Sequence, residues 1–210
     1  VGLTTKTVHG LALKTKNERF AQDSYRRFIG MFGSIVMGVN REHFEDILKH
    51  KKRDLGVTQD THLDAKALKE LVVSFKELVK EETKRDFPDD PLEQLRMAIN
   101  AVFSSWYGAR AVTYRRLYNI PETWGTAVNV VAMVFGNMGE TSGTGVAFTR
   151  DPATGQRQFF GECLTNAQGE DVVAGIRTPL PVKELEKFMP EAYKDLEATY
   201  KKLERHYRDM

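Results

Sequence analysis

Apolar positions follow a helical repeat through the first half of the chain. The stretch NERFAQDSYRRFIGMFGSIVMGV places Phe20, Tyr25, Phe28, Ile29, Phe32 and Ile35 close to one face of a helix. DAKALKELVVSFKELVKEETKR does the same with Leu68, Leu71, Val72, Phe75, Leu78 and Val79, with lysines and glutamates opposite. A further helix is predicted to open at DDPLEQL: Asp90 is its cap, Pro91 suits its first turn and Glu93 completes a capping box. Its apolar stripe reads Leu92, Leu95, Ile99, Val102, Phe103 and Trp106. The link KHKKRDLGVTQDTHLD is polar, and FPDDP breaks the chain before this helix. After Arg116 the pattern changes. TAVNVVAMVFG, TGVAFTR and RQFFGECL are short, rich in Val, Phe and Thr and separated by glycine turns, which predicts strands. Helix returns in PEAYKDLEATYKKLERHYRDM, with Tyr193, Leu196, Tyr200, Leu203 and Tyr207 on one face. By pattern alone the chain is α+β: a helical part, then a small sheet backed by a helix.

Composition narrows the function classes. The 210 residues are 41% hydrophobic and 29% charged, with a net charge of +2. Such a chain buries a core, and it lacks the basic surplus of a nucleic-acid binder. No apolar run reaches membrane-spanning length, so no membrane partner is expected. A single cysteine, Cys163, cannot close an internal disulfide and favours a reducing, intracellular compartment. The chain opens on VGLTTKT rather than Met and is read as a piece of a longer protein. Lysine is absent from Leu117 to Val182, although the flanking helices are full of it. From Gly136 onward charge is placed by need: Glu140, Arg150, Asp151, Arg157, Glu162, Glu170, Asp171 and Arg177.

Two stretches carry candidate chemistry. GETSGTGVAFTRDPATG has the glycines of a phosphate loop, but neither the Gly-Lys pair nor the following helix. It also runs into a strand where a dinucleotide fingerprint needs a helix. A glycine-rich hairpin turn remains. GECLTNAQGEDVVAGIRTP gathers Glu162, Asn166, Gln168, Glu170 and Asp171. Carboxylate and amide oxygens are the ligands of hard cations such as Mg²⁺, and the same acids also suit the start of a helix. The five histidines do not cluster and read as surface residues. Cys163 reads as a small buried filler. Arg26-Arg27 and Arg115-Arg116 suit either phosphate binding or solvated helix faces.

Taken together, TAVNVVAMVFGNMGETSGTGVAFTRDPATG and FFGECLTNAQGEDVVAGIRTP resemble the pyruvate, phosphate dikinase family of phosphoenolpyruvate-utilising enzymes, and RFAQDSYRRFI, NAVFSSWYGARAVTYRR and LERHYRDM extend the likeness over the chain. The resemblance implies the middle and later part of an ATP-grasp nucleotide-binding domain: a helical subdomain followed by part of an ATP-grasp-like antiparallel sheet backed by helices. It divides the chain at 1–88 (helical subdomain), 89–134 (helix and strand of the first ATP-grasp subdomain) and 135–210 (second subdomain, incomplete). It implies a parent phosphotransferase that uses ATP, phosphate and Mg²⁺ to phosphorylate a histidine on a swivelling domain, on the way between pyruvate and phosphoenolpyruvate. It also implies a homodimeric parent, in cytoplasm or in a plastid or glycosome matrix. By the same resemblance Ala132, Met133 and Val134 face adenine through their backbone. Val131 and Ala132 stand where relatives carry a polar pair, so side-chain contacts there are lost. Glu170 and Asp171 match the acidic pair beside phosphates and metal, Arg150 and Glu162 flank the nucleotide cleft, and Arg110 with Glu162 suits docking of the swivelling domain. The fragment alone is expected to be inactive. The competing expectation is a degenerate, non-catalytic ATP-grasp or docking module.

Overall fold

The computed structural model describes residues 1–173 and 177–208. The last two residues of the C-terminal helical stretch predicted above lie outside them. The chain divides into two compact units, Val1–Val131 and Ala132–Met210.

The first unit is helical. It contains α1 (Thr5–Thr15), α2 (Glu18–Ile35), α3 (Arg41–Asp54), α4 (Ala65–Thr83), α5 (Pro91–Ser105) and α6 (Ala109–Leu117). Side-chain caps start five of them: Thr4, Asn17, Asn40, Asp64 and Asp90 each accept a hydrogen bond from an N–H in the first turn. Helix α3 begins before the polar link and continues into it as far as Asp54. The core lies between α2 and α4: Tyr25, Ile29 and Phe32 pack with Leu68, Leu71, Phe75 and Val79. Phe87, after α4, meets Phe28 and Phe32 with ring centroids 5.7 and 5.5 Å away. Two stripes depart from the sequence reading. Ile35, at the end of α2, is exposed. Helix α5 turns Gln94, Met97 and Ala98 toward the core and leaves Leu92, Val102 and Phe103 outside.

The second unit holds an antiparallel sheet of β1 (Gly143–Phe148), β2 (Phe160–Thr165) and β3 (Leu180–Pro181), in that order. Register runs from Gly143 opposite Thr165 to Phe148 opposite Phe160. Helices α7 (Gly169–Val173), α8 (Leu185–Phe188) and α9 (Pro190–Tyr207) complete it. The chain as a whole is therefore α+β. TAVNVVAMVFG, predicted as a strand, forms none. Among the described residues no backbone group from Gly125 to Val134 bonds to another backbone group. A strand exists only as part of a ladder, and this stretch has no paired neighbour among the described residues.

Candidate functional site

The candidate residues fall mostly in the second unit, around β1, β2 and the turn into α7. Gly143 and Gly145 of GETSGTG, and Gly136 before it, lie close against neighbouring backbone. A Cβ on Gly145 would lie 2.6 Å from the Glu162 carbonyl oxygen across the ladder. A Cβ on Gly136 would lie 2.3 Å from that of Ala167 and 2.7 Å from that of Gly143. Ala167 donates its N–H to the Gly136 carbonyl at 2.9 Å, and Asn166 donates to Ser142 at 2.8 Å. The NAQ turn is thus held against the start of the hairpin by backbone bonds. The far end of the hairpin is a closed turn: Asp151 Oδ1 accepts from the Ala153 N–H at 2.8 Å, and Gly155 donates to the Asp151 carbonyl at 2.8 Å.

Within NAQGED the two acids differ. Asp171 is buried, and its Oδ2 accepts the Gln168 N–H at 2.8 Å. It ties down the first turn of α7 from inside. Glu170, beside it, is exposed. Side chains brace the turn on both sides: Gln168 Nε2 donates to Asn137 Oδ1 at 3.2 Å, Asn166 Nδ2 to Glu140 Oε1 at 3.3 Å, and Arg177 Nη1 to the Asn166 carbonyl at 3.1 Å. Among the described residues no group of three or more His, Cys, Asp or Glu is placed to hold a metal. Mg²⁺ characteristically takes one or two carboxylates and fills its octahedron with water and phosphate oxygens. A Mg²⁺ caged by protein ligands alone therefore does not fit here, because one acid of the pair is committed to its own backbone.

Arg150 follows β1 and meets a partner the sequence reading missed. Glu204 of α9 is buried, and Arg150 holds it with two nitrogens, Nη2 to Oε1 at 2.6 Å and Nε to Oε1 at 3.1 Å. Thr149 Oγ1 donates to Glu204 Oε2 at 2.8 Å, and Arg157 Nε reaches Oε1 at 3.0 Å. The hydrogen bond from Arg150 leads in holding the Glu204 carboxyl below its ordinary value, and Thr149 and Arg157 add to it against the cost of burial. Phe159 stacks on Tyr200 at 4.7 Å, so hairpin and α9 share an apolar contact as well. Glu162 is exposed on β2, opposite Val146 and Pro181. Cys163 is buried, and burial pushes its thiol up, followed by the nearby Glu184 charge, which disfavours the reactive thiolate. Ala132, Met133 and Val134 are exposed and lie outside helix and strand.

In the first unit the arginine pairs turn out to be structural in part. Arg26 is buried against Asp23 and lies 3.2 Å from Asp60, and Arg27 lies 3.3 Å from Asp23. Lys52 of α3 closes on Asp60 at 2.9 Å. Burial pushes the Asp60 carboxyl up, but Arg26 and Lys52 outweigh it and hold the group below its ordinary value. Arg115 is buried over the Trp106 ring at 3.9 Å and donates to the Trp106 carbonyl at 2.6 Å, which joins α6 to the end of α5. Arg110, in the first turn of α6, is exposed.

The family model described as "Pyruvate phosphate dikinase, AMP/ATP-binding domain" matches residues 28–187. The chain is 55% identical to pyruvate, phosphate dikinase of Clostridium symbiosum and 53% identical to that of Rhizobium meliloti (strain 1021). It is also 53% identical to pyruvate, phosphate dikinase 1, chloroplastic, of Arabidopsis thaliana. Each match covers 100% of this chain and 24%, 25% and 22% of the respective relative. The chain thus spans about a quarter of the length of the curated relatives it matches. Among the described residues no helix is long and apolar enough to cross a membrane.

Proposed function

Since the chain belongs to the family of the pyruvate phosphate dikinase AMP/ATP-binding domain, we propose that it is the nucleotide-binding portion of a phosphotransferase that interconverts pyruvate and phosphoenolpyruvate with ATP and phosphate. The observation that carries the reading is identity above one half over the full chain to named pyruvate, phosphate dikinases. Phosphoryl transfer asks a protein for positioning and charge balance more than for covalent chemistry. The residues from 132 to 134 supply peptide groups with no backbone partner among the described residues, which suits them to the polar edge of adenine. Glu170 meets the charge of a Mg²⁺–nucleotide complex, in which the phosphates supply most of the metal's oxygens. Asp171 acts behind it by fixing the Gln168–Glu170 backbone. Arg150, held by Glu204, keeps the FTRDPATG turn in place, while Arg110 and Glu162, both exposed, contact a phosphohistidine-carrying swivelling domain of the parent chain.

The test is Glu170→Gln in the full parent chain. Phosphohistidine formation from radiolabelled ATP is expected to slow by about 100-fold, the scale seen when one electrostatic contact to a transition state is lost. A rate within twofold of the unmodified enzyme would remove Glu170 from the mechanism.

A further inference from the structure

The hairpin of β1 and β2 is fixed at its two ends by different contacts. At the NAQGED end the Gly136 and Ser142 carbonyls and the side chains of Asn137 and Glu140 hold the turn. At the other end α9 does so. Tyr200 and Glu204 lie one turn apart on that helix. Tyr200 stacks on Phe159 at 4.7 Å, and Glu204 gathers Thr149, Arg150 and Arg157. Thr149 and Phe159 are buried, while residues 152–158 between them are exposed. The chain is therefore gripped on entry to the FTRDPATG turn and again on exit.

A buried carboxylate is a poor choice for adhesion alone. Taking its charge out of water costs much of what the ion pairs return, and a well-packed apolar side chain holds an element as firmly. Arg150 approaches Glu204 through two nitrogens, and such a fork fixes direction as well as distance. The cluster thus sets the angle at which the hairpin end leaves α9. Glu162 is two residues from Phe160 at the clasped end, about 7 Å along β2. Thr165, at the NAQGED end, is five residues from Phe160, about 17 Å. A hairpin released at Glu204 pivots about its braced NAQGED end, so Glu162 moves further than Glu170. We propose that Glu204 is a positioning residue for phosphoryl transfer: through Thr149, Arg150 and Arg157 it orients the hairpin end, and with it Glu162, toward the phosphohistidine-carrying domain, and it takes no part in nucleotide binding. This rests on the dikinase reading, in which Glu162 contacts that domain.

Glu204→Gln in the full parent chain, held below its melting temperature, tests the proposal. Two quantities are read: affinity for a non-hydrolysable ATP analogue with Mg²⁺, and the single-turnover rate of phosphohistidine formation at saturating ATP. Affinity is expected to stay within about twofold while the rate falls about 10- to 100-fold, the scale of a small misplacement remote from the chemistry. An unchanged rate would overturn the positioning role. So would a loss of affinity equal to the loss of rate, which marks a residue that only supports the fold. Should Glu204→Gln not fold, Arg157→Gln gives the second readout, because the Arg157 side chain is 69% exposed and the change removes one arm of the cluster. It is expected to slow transfer about threefold at unchanged affinity, the scale of one exposed ion pair, and an unchanged rate would overturn the proposal. An unmodified parent chain that binds no analogue, or forms no phosphohistidine from ATP, would instead sink the dikinase reading itself.

Discussion

Glu204 shows what the residue scale adds. In sequence it is one glutamate among many on a helix with a stripe of tyrosines and leucines, and nothing local marks it as buried. Its burial comes from Thr149, Arg150 and Arg157, which are about fifty residues away and meet it only when the hairpin folds onto α9. The same applies to Arg26 and Arg115, where charge and helical position suit either phosphate or solvent and the fold supplies Asp23 and the Trp106 ring. Local patterns report periodicity, and buried ion pairs depend on tertiary contacts that no window contains. The folded-state pKa of Glu204 is lowered, so its contribution to stability is present above its ordinary value of 4.5 and is lost as pH falls below it. Glu204→Gln is therefore expected to lower the melting temperature of the parent chain at pH 7. The gap to wild type should narrow between pH 5 and pH 3, read by thermal melts across that range. A gap that does not change with pH would deny the carboxylate its charged role.

At the scale of elements, strong helical periodicity was enough to find α2 and α4, and the Asp90-Pro91 pair marked the start of α5. The hairpin of β1 and β2 was also visible, because glycines and a Pro-Gly turn bracket short Val- and Phe-rich runs. Two features were not visible. The composition of TAVNVVAMVFG is that of a strand, but a ladder needs a partner and the described residues bring none to it. The stripe of α5 has the right period on the face away from the core, since periodicity tells that a face is apolar and not what it packs on. Packing magnitudes can be tested here. Phe75, buried between α2 and α4 and 4.9 Å from the Phe44 ring, is expected to cost about 3–5 kcal/mol as Phe75→Ala in denaturant titrations. Gly136→Ala should cost about 1–3 kcal/mol, because its Cβ would press on two carbonyl oxygens. Gly10→Ala is the contrast: it lies inside α1 with open space around it, and a gain of about 1 kcal/mol is expected. Equal effects of the two glycine substitutions would show that the Gly136 contact is not tight.

At the scale of the whole molecule, a helical unit and a sheet-bearing unit each fold around their own contacts, and the family match from residue 28 to 187 runs through both. The candidate site was legible as a set of residue types in NAQGED, but their division of labour was not. Asp171 belongs to the backbone and Glu170 to the surface, a distinction set by the turn that Gly136 and Ala167 hold in place. In the proposed function, residues of this chain receive the nucleotide. Amide hydrogen exchange of the full parent chain, with and without Mg²⁺ and a non-hydrolysable ATP analogue, tests it most directly. The analogue is expected to slow exchange at residues 132–134 and 166–171. Slowed exchange confined to other parts of the parent, with none among these residues, would contradict it.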